Sequence, residues 1–159
     1  MRDFTRFSTL RLITGIVLLG VGLASAQISP EQRQAILDYP LTMSRANQLL
    51  AAMVPMTQYL ASLPDYQERL RKSATMSSAA RLNAVETDPK AMAILRQNGL
   101  TARDYLIGVS ALRMAILAAQ GRSSPMIIAS PANIAFAKAN LAEIKPRMNA
   151  ADGVGAATK

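Results

Sequence analysis

The chain has 159 residues, with 18 Lys and Arg against 10 Asp and Glu, and no His, Cys or Trp. The missing His removes the usual general base and the commonest metal ligand, and the missing Cys removes thiolate chemistry and disulfides. A chain of this length can still bury a substantial core, so packing alone must hold it together.

Reading in chain order, residues 2–11 carry Arg2, Arg6 and Arg11 against one acid, Asp3. An apolar run of 12 residues follows at 12–23 and ends in Ala24-Ser25-Ala26. A positive start, a short apolar core and an A-x-A exit are the marks of a secretory signal peptide. A bilayer-spanning helix needs about 20 apolar residues, more than this run offers. The expectation is cleavage between Ala26 and Gln27. The alternative is an uncleaved anchor that tethers the same domain. No Arg-Arg pair is present and no Cys follows the run, which favours the Sec route over Tat and leaves no lipoprotein site. The mature chain would hold 133 residues with 15 basic side chains against nine acidic, a net charge of +6.

The mature segment reads as helices separated by caps. Ser29-Pro30-Glu31-Gln32 is an N-cap, a Pro at the first helical position and a capping-box Gln, starting a helix that should reach Asp38 before Pro40. A second helix begins near Thr42 or Ser44. Its apolar stripe of Ala46, Leu49, Leu50, Met53, Val54, Leu60 and Leu63 runs in phase past Pro55, which predicts a kink and not a break. Pro64-Asp65 restarts the chain, and a weak stripe from Tyr66 to Val85 predicts one more helix. Asp88-Pro89 opens the next, and Gly99 stands where a left-handed stop is wanted. Thr101 and Asp104 are spaced to cap a helix over 102–120, with Leu100 and Tyr105 placed as a staple. After its first turn that helix carries one charge, Arg113, so it should be the buried centre of the core. Gly121 ends it. Ser130-Pro131 starts the last helix, with Ile134, Ala137, Leu141, Ile144 and Met148 on one face and a kink or fraying expected at Pro146. Residues 149–159 have no periodicity and read as a disordered tail.

Chemistry is sparse. The closest acid pairs, Asp65/Glu68 and Glu86/Asp88, fall at helix ends, where acids cap and solvate, and no catalytic residue is assigned. No S-x-x-K or Gly-rich phosphate loop occurs, and no cofactor or metal site is expected. Gly108 sits mid-helix at a cost of about 1 kcal/mol against Ala. With Ala111 and Ala115 it makes a small-residue strip, either for close approach of a neighbouring helix or for a partner near the backbone. Met53 and Met56 form an M-x-x-M pair. Thioethers suit Cu(I), but without His or Cys support the pair reads as core filler or as an adaptable groove. Arg69, Arg71 and Lys72 are the one tight basic cluster. It is a solvated face, or a contact for anionic lipid heads or an acidic partner. Nucleic acid is not expected, because the mature chain has one Phe, Phe136, and four scattered Tyr for stacking.

Two stretches, DPKAMAILRQNGLTARDYL at 88–106 and SPANIAFAKANLAEI at 130–144, resemble segments of an uncharacterised group of small exported all-helical bacterial proteins. The resemblance rests on capping residues. It implies an exported helical domain, with no activity and no functional residue to carry over.

The expected architecture is therefore all-α. A signal peptide at 1–26 precedes one bundle of five or six helices at 27–148, with helix 102–120 at its centre. The expected role is non-enzymatic: a periplasmic binding or accessory protein for a larger envelope partner. Candidate contacts are Met53, Met56 and Gly108, together with Arg69, Arg71 and Lys72. The alternative is a membrane-associated protein, held by an uncleaved anchor or by its basic surface, as an accessory subunit of an inner-membrane complex.

Overall fold

A computed structural model describes residues 28–154, and caps divide these described residues into seven helices. They are α1 (Pro30–Asp38), α2 (Met43–Ala61), α3 (Tyr66–Thr75), α4 (Ser78–Glu86), α5 (Pro89–Gln97), α6 (Ala102–Ala119) and α7 (Pro131–Val154), and no strand occurs among the described residues. Side-chain oxygens of Ser29, Thr42, Ser77, Asp88, Thr101 and Ser130 accept first-turn backbone N–H groups of α1, α2, α4, α5, α6 and α7. Each such cap is worth about 1 kcal/mol. At α6 the box is reciprocal: Asp104 N–H donates to Thr101 Oγ1 at 3.0 Å, and Thr101 N–H donates to Asp104 at 3.4 Å. At α1 only half of the expected box forms. Ser29 accepts from Gln32 N–H, but the Gln32 side chain turns away to accept from the Ser78 hydroxyl of α4.

Gly99 and Gly121 take φ of +68° and +77°, the left-handed stops that end α5 and α6. α2 continues past Pro55 and α7 past Pro146, so neither proline ends its helix.

Two expectations are corrected. The single helix expected over 66–85 is two. Met76 and Ser77 are both extended, Ser77 caps a new start, and the bundle gains a seventh helix. Of the tail expected over 149–159, residues 149–154 are helical, and the remainder lies outside the described residues. The sequence lacks periodicity there because Ala151 is the one buried residue among 149–153, and Asp152 is held by a tertiary ion pair, which no local pattern announces.

The core centres on α6, which buries Ala102, Gly108, Val109, Ala111, Leu112, Met114, Ala115 and Ile116. α7 packs along α6 and α2, α1 packs on α6, and α4 and α5 close the other side. Ile36, Leu49, Leu95, Leu112 and Ile144 are the largest fully buried side chains. Complete burial of one such residue stabilises by about 1.5–3 kcal/mol. Among the described residues Asn133 is the buried polar side chain: its amide accepts from Leu41 N–H at 3.1 Å and donates to Tyr39 C=O at 2.9 Å. It thereby pins the start of α7 to the turn at Pro40. α3 differs from its neighbours. Like α4 it has no fully buried residue, but unlike α4 it makes no extensive contact with any other helix.

Candidate interaction surface

The expected contact residues separate into two places. Met53 and Met56 are 3% and 4% exposed, so their thioethers fill the core beneath α2 and present no outward pair. Gly108 is buried too. A Cβ there would lie 2.8 Å from Leu49 Cδ2 and 2.8 Å from the Tyr39 ring and hydroxyl. The glycine therefore admits Tyr39 and Leu49 close to the α6 backbone, which is the packing alternative. Arg69, Arg71 and Lys72 are all exposed on α3. The signal-cleavage residues Ala24, Ala26 and Gln27 lie outside the described residues.

α3 is a short helix with Tyr66, Leu70 and Ala74 half-buried at intervals of four, and charges on its outer side. Two of its three basic side chains are committed. Arg69 Nε donates to Asp65 at 2.7 Å, and Lys72 Nζ to Glu68 at 2.6 Å. The Arg69 bond, first among the causes, holds the Asp65 carboxyl below its ordinary pKa. Exposed pairs of this spacing are screened by water and contribute little, so they organise the face more than they stabilise it. Arg71 has no ion-pair partner among the described residues.

Behind α3 a polar cluster joins α2 to α5. The Tyr59 hydroxyl donates to Asp88 Oδ2 at 2.7 Å, and Lys90 Nζ lies 4.9 Å from the Tyr59 ring centroid. Burial pushes the Asp88 carboxyl up, but bonds from Tyr59 and from the N–H groups of Ala91 and Lys90 outweigh it and leave the pKa lowered. The same bond raises the Tyr59 pKa. In the sequence Asp88 reads as a cap and Tyr59 as one scattered aromatic. No local spacing links positions 29 residues apart.

A second cluster lies between α6 and α7. Arg113 makes a two-pronged contact with Asp152, at 2.5 and 3.2 Å, and both side chains are mostly covered. Burial pushes the nearby Tyr105 phenol up to about 12. The one charge in an apolar helix was the legible half of this pair.

A shallow cleft of about 250 Å³ opens between the end of α1 and the start of α6, lined by Asp38, Tyr39, Arg103 and Asp104 among others. Its carboxylates are already engaged: Asp38 accepts from Gln34, and Asp104 from Thr101. The Tyr39 hydroxyl is buried without a partner, sealed against α6 and out of reach from the cleft. Among the described residues no group of three acids gathers to hold a metal ion, and no helix is long and apolar enough to cross a membrane. No protein-family model, curated protein or solved structure matches the chain.

Proposed function

We propose that the chain is an exported, non-enzymatic helical protein that serves as a binding or accessory module for a larger envelope protein, with α3 as the contact. The observation that carries this reading is that α3 has no fully buried residue and no extensive contact with another helix, while its outer face shows Arg69, Arg71 and Lys72 to solvent. A helix whose inner side is only half-buried leaves its outer face for another surface. Its charge suits an acidic one. Export rests on the signal pattern at 1–26 and on the resemblance carried by 88–106 and 130–144, and it places the module in the periplasm of a cell with an outer membrane.

The test is in-cell crosslinking of the full chain, followed by capture from envelope extracts. The wild type should retain one larger acidic protein. The triple variant R69Q/R71Q/K72Q should lose at least tenfold of that capture. Its thermal midpoint should stay within about 2 °C, because only weak surface pairs are lost. Undiminished capture by the variant, or a wild type that stays monomeric and captures nothing, would overturn the reading. The second reading is contact with anionic lipid through the same exposed basic face. Salt-sensitive flotation of the chain with anionic vesicles, in the absence of protein capture, would favour it.

A further inference from the structure

Arg113 stands alone as a charge in the apolar body of α6, and Asp152 at the far end of α7 holds it. The contact is two-pronged, and the side chains are 17% and 24% exposed. Arg113 Nε is buried and unpartnered, so Asp152 is what compensates this guanidinium. Between that contact and the body of α7 lies Pro146, exposed and inside the helix. It cannot donate to the carbonyl of Ala142, and its ring presses on that carbonyl. The hydrogen-bond ladder of α7 is therefore interrupted there.

The two sides of the interruption are held differently. The part before Pro146 is anchored by Asn133, Ala137 and Ile144, all buried, and by two hydrogen bonds across to the turn at Pro40. The part after it is anchored by Met148, Ala151 and the Asp152 pair, with Arg147 bonded to Asn47 of α2 at the hinge. We propose that residues 147–154 form a strap, hinged at Pro146, that opens as one unit from α6 while the rest of the bundle stays folded. Opening presents the Arg113 guanidinium and the apolar ground beneath Met148 and Ala151, and closing covers both. Segments with few buried anchors and an interrupted ladder are the ones that open below the global unfolding free energy.

Residue-resolved native-state hydrogen exchange of the full chain tests this. The amides of residues 150–153 should exchange at one common opening free energy, at least tenfold faster than those of residues 135–145. Asp152→Asn should speed the strap at least tenfold further and leave the amides of α2 and α6 unchanged. Pro146→Ala, which restores the missing donor at an exposed position, should slow the strap at least threefold. Rates that climb progressively toward the chain end are ordinary fraying and would overturn the proposal. So would an Asp152→Asn effect spread evenly over the molecule, or strap rates indifferent to Pro146→Ala.

Discussion

Asn133 performs a task that its side chain alone can do. It meets one N–H and one C=O, on either side of Pro40, and an amide carries the acceptor and the donor that match them. Asn133→Ala strands both backbone groups in the interior, at about 1–3 kcal/mol each. Denaturant unfolding should show a loss of about 2–6 kcal/mol. Asn133→Asp keeps the acceptor but turns a carboxylate toward the Tyr39 carbonyl, and it should be no better tolerated than Ala. The apolar stripe expected for this helix starts at Ile134 and leaves Asn133 out, because the backbone groups that take up its amide lie 92 and 94 positions away in the sequence. Gly108 gives the opposite case. Ala would gain about 1 kcal/mol of helix propensity, yet its Cβ would fall 2.8 Å from Leu49 and Tyr39 in the core. Overpacking of this kind costs about 1–3 kcal/mol. Gly108→Ala should therefore lower the thermal midpoint. A rise would show that the Tyr39 ring moves aside freely.

At the scale of elements, the caps were the most legible feature. Ser29, Thr42, Asp88, Thr101 and Ser130 all begin helices where their side chains lead one to expect it, because a cap is a local bond between neighbours in sequence. Ser77 was missed for a physical reason. A weak stripe of small residues continues through it, so nothing apolar changes phase at the break. α3 and the strap at 147–154 share a property: each is held by few buried side chains. That is why the R69Q/R71Q/K72Q variant should keep its fold, and why Asp152→Asn should act on the strap before it acts on the bundle.

At the scale of the whole molecule, the absence of His leaves no side chain whose ordinary pKa falls between about 5 and 8. Stability should therefore be flat across neutral pH. The acid limb has a definite sign. Asp65 and Asp88 have lowered pKa values in the fold, so what they contribute is present above the ordinary carboxylate range and is lost as pH falls through the lowered values. The alkaline limb is the mirror case. Tyr59 is raised by its bond to Asp88, and Tyr105 is pushed up to about 12 by burial, so their contribution is present below the ordinary phenol value and is lost as pH rises through the folded ones. Thermal midpoints should hold from about pH 5 to about pH 9 and fall below about pH 4. Asp88→Asn should flatten part of the acid limb. A midpoint that changes steeply near pH 7 would contradict this reading.

The amino-acid sequence by itself determined the all-helical class, most helix starts and stops, the central place of α6 and the lack of His and Cys chemistry. These follow from local bonds and from the 3.6-residue period, which a linear string displays directly. The tertiary structure alone decided that Met53, Met56 and Gly108 belong to the core, that α3 adds no fully buried residue to it, and that Asp152 at the end of α7 is tied to Arg113. Each of these depends on which helix lies across from which. Tyr59 and Asp88, Arg113 and Asp152, and Leu41 and Asn133 meet across 29, 39 and 92 positions. No periodicity within one element encodes such distances.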